Sequence, residues 1–326
     1  MMQNVMLGSL WPVSRLVLGG GGLGQLWGTT SREEAVATVH AAVAGGITLF
    51  DLAPLYGRGE AEAVIGEAFA GRPAPELRFT TKCQLGNVPA EAVASTIRRR
   101  LERSLETLRL SRVDLLFLHS NIIPDGYRFP RDSETQDHFA TPLSLFRDHV
   151  RPAFEKLREE GLIGDWGITG IGVPETVMTV LGEAPRPSVV QCIANCLDSA
   201  GSIQRFDEPA QPRNIIATAR AHGVGVLGIR AVQAGALTDA IDRPLPADHP
   251  EVLDYHRAKS LRALAAQAGM TMADLAHRYA LSMDGVDAVI LGVKNRQELA
   301  ECLAAEAAGP LPAELIRAID ECRRSA

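Results

Sequence analysis

Four residues able to hold or move a proton mark the first half of the sequence: Asp51, Tyr56, Lys82 and His119. Asp51 stands where the apolar run Thr48, Leu49, Phe50 stops, and Tyr56 follows in a loop with Pro54 and Gly57. Lys82 falls at the end of the strand-like run Arg78–Cys83, and His119 closes a second one, Val113–His119. A phenol is a weak acid, with an unperturbed pKa of about 10. A neighbouring ammonium stabilises the phenolate and lowers that value. In such a set Asp51 keeps Lys82 charged and oriented, Tyr56 gives or takes a proton, and His119 hydrogen-bonds the reacting oxygen. Singly, each residue has an ordinary reading: a helix cap or loop brace, a packed ring, a solvated amine, an imidazole satisfied by backbone. Lys82 also leaves open a second chemistry, Schiff-base attack on a carbonyl as in an aldolase.

The elements that must position these residues alternate between strand and helix. After a short N-terminal hairpin, Arg15–Leu18 reads as the first strand and Ser31–Ala44 as the first helix, with Ser31 as cap and Glu34 as its capping-box partner. The second strand ends at Asp51 before a helix over Glu60–Ala70; the third ends at Lys82 before a helix from Ala90 to Leu108. Ile97, Leu101, Leu105 and Leu108 give that helix one apolar stripe. The fourth strand ends at His119. Leu162–Thr169, after a helix over Phe146–Glu160, is the fifth strand, Ser188–Cys192 the sixth, Gly223–Ile229 the seventh and Asp287–Leu291 the eighth. Extra helices fall near Thr271–Met283 and Pro312–Arg323. Eight such units in roughly 300 residues predict an α/β fold, a (β/α)8 TIM barrel with N-terminal hairpin and extra C-terminal helices, in one domain over 1–326. Asp51, Lys82 and His119 then share the carboxyl ends of the strands, where barrels build their sites. The long loops Ser120–Leu145 and Asp198–Arg213 both follow strands and are expected over that mouth.

Composition narrows the function classes. A chain of 326 residues with 46% hydrophobic and 22% charged residues is ordinary for a globular protein. The net charge of −6 argues against a nucleic-acid partner or a polybasic membrane patch. No apolar run reaches the roughly 20 residues of a membrane span, and the N-terminus lacks the pattern of a signal peptide. The five cysteines contain no C-x-x-C pair, which points to reduced thiols in the cytoplasm rather than disulfides or a metal site.

Gly19-Gly20-Gly21-Gly22-Leu23-Gly24 contains a formal G-x-G-x-x-G after a strand. The acidic residue expected about 20 positions later, at the end of a second strand, is poorly matched, and the helix begins too late to abut the glycines. The better reading is a first barrel loop passing close to a cofactor bound elsewhere.

In order and approximate spacing, Asp51, Tyr56, Lys82 and His119 resemble the catalytic tetrad of the aldo-keto reductase superfamily. The resemblance implies an NAD(P)-dependent oxidoreductase moving a hydride between a nicotinamide and a carbonyl or alcohol. Tyr56 would be its general acid or base. It also implies a Gly-rich first loop, here Gly22 and Leu23, near the nicotinamide, with Asp51 at the same end. Gly167-Ile168-Thr169-Gly170 stands where relatives carry G-x-S-N. Thr169 can replace the serine hydroxyl, but Gly170 has nothing to replace the asparagine. Gln191 matches the carboxamide-binding Gln of the sixth strand. The run from Ile290 to Glu301 resembles the family's adenosine site, with Gly292, Lys294, Glu298 and Glu301 as contacts. A carboxylate at Glu298 repels a 2′-phosphate and leans the choice between NAD and NADP towards NAD, whereas Lys294 and Arg296 pull the other way. Arg230, in place of a Ser-Pro-Leu, is expected on the cofactor pyrophosphate or an anionic substrate, with pairing to a loop carboxylate as the alternative.

The Gly-Ile-Thr-Gly variant resembles the branch with aldose 1-dehydrogenases acting on L-galactose or L-fucose. It points to a small-molecule carbonyl or sugar substrate. Trp27, Tyr56, His119, Tyr127 and Phe129 are the expected pocket walls, with Arg128, Arg131, Asp132 and His138 as polar groups in the same long loop. A non-catalytic, cofactor-binding regulatory subunit is the remaining alternative, left open by Gly170 and Arg230.

Overall fold

The computed structural model describes residues 2–131 and 133–325; Asp132 lies outside the described residues. Eight parallel strands close into a barrel: Leu16–Gly19, Leu49–Asp51, Arg78–Cys83, Val113–Leu118, Ile163–Thr169, Val189–Ile193, Gly225–Ile229 and Ala288–Leu291. They run round the barrel in chain order, and the eighth pairs with the first. Each predicted strand is present, shifted by at most two residues at either end.

Alternation along each strand divides the core in two. Leu49, Leu115, Phe117, Val189 and Leu227 fill the barrel interior. Phe50, Leu116, Leu118 and Val190 face the helices. The same alternation brings Asp51, Lys82 and Gln191 together inside, above the apolar layer. The N-terminal hairpin, Asn4–Met6 against Pro12–Ser14, is antiparallel and adds Leu7 and Val13 to that interior layer. Asp287 fastens it, accepting bonds from the Gly8 and Val226 amides at 3.1 and 2.8 Å.

Helix Val93–Leu108 buries Ile97, Leu101, Leu105 and Leu108 on one face, as the spacing requires. Each such side chain stabilises the fold by about 1.5–3 kcal/mol relative to exposure. Helix Arg32–Ala44 starts at Ser31, whose Oγ accepts from the Glu34 amide at 3.1 Å. Only this half of the expected capping box forms through Glu34, because its carboxylate is held by Arg296.

Neither long loop is plain coil. Ser120–Leu145 contains a short parallel pair, Asn121–Ile123 with Ala140–Pro142, and a helical turn over Gln136–Phe139. Ile123, Phe129 and Ala140 from this loop pack with Phe206 from Asp198–Arg213 and with Val173 in a satellite apolar cluster. Between the seventh and eighth strands lie three helices, Pro250–Arg257, Lys259–Gln267 and Met272–Ser282. The segment leading into them is longer than the sequence pattern foresaw.

Candidate active site

Asp51 closes its strand with both carboxylate oxygens engaged. Oδ2 lies 2.5 Å from Lys82 Nζ, while Oδ1 accepts from Thr80 Oγ1 at 2.8 Å and Gln191 Nε2 at 2.6 Å. Lys82 Nζ also donates to the Leu52 carbonyl at 2.9 Å. The Lys82 side chain is wholly buried and that of Asp51 nearly so. A buried charge of this kind is tolerated only when paired and hydrogen-bonded.

Tyr56 lies over this pair, its ring centroid 4.8 Å from Lys82 Nζ. It meets His119 edge-on, with centroids 6.0 Å apart and planes at 86°. The His119 amide donates to the Cys83 carbonyl at 2.8 Å, tying the end of the fourth strand to the third. His119 Nδ1 is buried without a partner among the described residues. The four residues expected to act together are thus brought together.

The electrostatics correct one expectation. Burial pushes the Tyr56 phenol above its ordinary pKa, and the opposing pull of Lys82 does not outweigh it. Tyr56 is therefore a protonated phenol at neutral pH. For Lys82, burial works against the charge, but Asp51 and Tyr56 prevail and the ammonium is held above its usual range. That is opposite to what a Schiff-base lysine needs, since such a residue attacks as the free amine. His119 is pushed down to about 3, by burial first and Lys82 second, so its imidazole is neutral.

The other expected residues divide. Thr169 Oγ1 donates to the Leu118 carbonyl at 2.9 Å and keeps only acceptor capacity. Gly170 is crowded: a Cβ there would lie 2.9 Å from Val190 Cγ2 and 3.1 Å from the Gln191 backbone carbonyl oxygen. Gln191 spends its amide nitrogen on Asp51 rather than on backbone. A Cβ on Gly22 would fall 2.0 Å from the Val293 carbonyl oxygen, so the first loop packs on the eighth strand's exit. The Leu23 side chain goes into the outer core and cannot line a cofactor site.

Arg230 is paired within the protein. Its Nη2 lies 2.5 Å from Glu251 Oε1 and its Nε donates to Gln233 Oε1 at 2.6 Å. The carboxylate alternative is the one formed, and the residue's φ of 60° sets it in the left-handed region. Tyr127 and Phe129 are likewise committed. The Tyr127 hydroxyl donates to Glu208 at 2.8 Å, and Phe129 is buried in the cluster joining the two loops. Trp27 is half-buried near Gly292, with the Arg243 guanidinium 5.8 Å from its ring.

At the eighth strand, Gly292 and Glu301 are exposed. Glu298 Oε2 accepts from the Lys294 amide at 2.8 Å, and Asn295 caps helix Arg296–Ala307 by accepting from the Glu298 amide. Two residues of consequence escaped the sequence reading. Thr80 braces Asp51, and its place two before Lys82 on the same strand face was the signal. Glu34 holds Arg296, and nothing in the sequence pairs residues so far apart.

The closed parallel barrel thus carries a buried Lys–Asp pair, a phenol and a neutral imidazole together at its carboxyl end. The sequence profile described as "Aldo/keto reductase family" matches residues 15–324, and the chain belongs to that family. It is an NAD(P)-dependent oxidoreductase of aldo-keto reductase type. Among its relatives, L-galactose dehydrogenase of Arabidopsis thaliana is 28% identical over 297 residues, 90% of this chain and 84% of that protein. D-threo-aldose 1-dehydrogenase of a Pseudomonas species is 26% identical over 252 residues, 70% of this chain and 68% of that one. The fold is shared with an aldo-keto reductase from Bacillus halodurans in its holo form: TM-score 0.76, 23% identity, 100% of this chain and 98% of that one. It is also shared with a glycerol dehydrogenase from Gluconobacter oxydans: TM-score 0.71, 24% identity, 98% and 94% covered.

Proposed function

We propose that this chain interconverts a polar, hydroxylated carbonyl or lactol and its reduced or oxidised partner, with Tyr56 as the general acid and base. The observation that carries this is the meeting of the Tyr56 phenol with a buried, fully bonded Lys82–Asp51 pair and a neutral His119. When bound, the nicotinamide cofactor supplies or accepts the hydride.

In reduction, Tyr56 gives its phenolic proton to the developing alkoxide, and Lys82 stabilises the phenolate left behind. Asp51 and the Leu52 carbonyl hold the ammonium in place. His119 hydrogen-bonds the substrate oxygen as a neutral imidazole. In oxidation Tyr56 takes the proton back.

The hydrogen-bond acceptors present suit the donors of a dinucleotide. Thr169 and the Gln191 carbonyl suit the carboxamide, while Glu298 and Glu301 suit the ribose hydroxyls and adenine amine. The carboxylates favour NAD over NADP. A sugar-like substrate is supported by the L-galactose and D-threo-aldose dehydrogenases among the relatives. It is further supported by Arg128, Arg131 and His138 in the loop after the fourth strand. All three side chains are solvent-exposed on that loop.

The test is to compare kcat/KM with NAD and with NADP for L-fucose, L-galactose, D-arabinose and pyridoxal against apolar aldehydes of similar size. Higher values throughout the apolar set would overturn the substrate class. Absence of turnover with every pair would return the chain to a regulatory role.

A further inference from the structure

The two cations that the sequence set against Glu298 are both already engaged. Lys294 Nζ lies 2.5 Å from Asp242 Oδ2 and 3.1 Å from Glu298 Oε1. Arg296 is gripped by Glu34 through three donors. Its Nε is 3.1 Å from Oε1, its Nη2 is 2.9 Å from Oε2, and its backbone amide is 3.0 Å from Oε1. Arg296 opens helix Arg296–Ala307, so this amide is one of the free donors a phosphate would seek at a helix start. Asn295 Oδ1 takes another, the Glu298 amide at 2.9 Å. Glu34 belongs to a different helix, 262 positions earlier than Arg296. Ser31 fixes its backbone by accepting from its amide.

We propose that Glu34 is a specificity-determining residue that selects NAD over NADP by withholding the Arg296 guanidinium and the first helical amide from a 2′-phosphate. The inference rests on the reading of this segment as the adenosine site. A 2′-phosphate needs a bidentate fork and a backbone donor, the set that Glu34 already occupies. The ion pair is exposed and weak in itself. Discrimination comes from placement: an arriving phosphate that pulls Arg296 away is left beside the displaced carboxylate, like charge against like. A ribose 2′-hydroxyl meets no such repulsion and finds acceptors instead.

The experiment titrates 2′,5′-ADP and 5′-AMP calorimetrically into the wild type, Glu34→Gln, and Glu34→Gln combined with Arg296→Ala. This reads the adenosine end without turnover. Glu34→Gln should tighten 2′,5′-ADP about tenfold, the scale of one charge-assisted contact, and leave 5′-AMP within about a factor of two. The double variant should lose the gain. The ratio of kcat/KM for NADP over NAD should move in parallel. An equal effect on both nucleotides, no effect, or a gain that survives loss of Arg296 would each overturn the role of Glu34. Failure of both nucleotides to bind any variant, the wild type included, would remove the adenosine-site reading and this inference with it.

Discussion

At the Tyr56 end of the barrel mouth, each charge is buried and answered by a neighbour on an adjacent strand or loop. At the eighth-strand end, the charges are partly or largely exposed and answered from a helix and a loop far off in the chain, with Glu298 as a local partner of Lys294. Asp51 accepts from Lys82, Thr80 and Gln191, all barrel residues. Arg296 and Lys294 are answered instead by Glu34 and Asp242, one on a helix and one in a loop. The buried end fixes one geometry and tolerates little change, as expected where a proton must move along a set path. The exposed end can be retuned residue by residue, because surface pairs each contribute little.

The largest effect that would break this contrast is at Tyr56. Tyr56→Phe should lower kcat by about 10²- to 10⁴-fold while leaving the melting temperature and cofactor affinity near those of the wild type. Lys82→Met should be at least as severe in kcat. It should also destabilise the fold by about 3–5 kcal/mol, because Asp51 is left buried and unpaired. Denaturant unfolding of the two variants separates them. Equal stability would mean that the Lys82–Asp51 pair is not the buried support described above.

Arg230 sharpens the comparison from the side: of its two readings, an anion contact or a carboxylate partner, the structure forms the second, with Glu251 of helix Pro250–Arg257. Arg230→Met leaves the almost fully buried Glu251 with Ser202 and His249 but without its guanidinium, and should cost about 1.5–3 kcal/mol of stability, measured by chemical denaturation. Cofactor KM should change little. A raised KM with unchanged stability would restore Arg230 to the phosphate.

Most of the barrel was legible because strand alternation and helix stripes are local signals, and so was the clustering of Asp51, Lys82 and His119, because strand ends of one barrel share a face. The roles of Tyr127, Phe129 and Glu34 were not legible, and Arg230 was legible only as one of two alternatives. Each is decided by a partner far away in sequence or on another element: Glu208, Phe206, Arg296 and Glu251. The capping box at Ser31 shows the limit well. The local pattern was correct for the Ser31 hydroxyl and the Glu34 amide, yet a distant arginine took the carboxylate.

His119 makes the buried end sensitive to acid. Its folded pKa, about 3, lies below the ordinary 6.5, so the unfolded chain binds the proton first as pH falls. The stability it contributes is present above pH 6.5 and is lost as pH drops through that window, at about 1.4 kcal/mol per pH unit. Unfolding free energies at pH 6, 5 and 4 should approach that slope, with only about half of it between pH 7 and 6, and His119→Asn should flatten it correspondingly. An unchanged slope would mean that the imidazole is not held neutral by burial.

The smallest expected effect lies at the exposed end. Glu298 accepts from the Lys294 amide and lies 3.1 Å from its ammonium, so Glu298→Arg removes a negative charge and releases Lys294 from one of its two carboxylates. Both changes favour a 2′-phosphate. The ratio of kcat/KM for NADP over NAD should rise about tenfold, which corresponds to about 1.4 kcal/mol. Asn295 still accepts from the amide of residue 298, so the helix keeps its cap and the melting temperature should move little. Combining this change with Glu34→Gln should give more than either alone, because the two carboxylates restrain different cations. An unchanged cofactor ratio in both single variants and in the combination would show that this end of the barrel does not choose the cofactor.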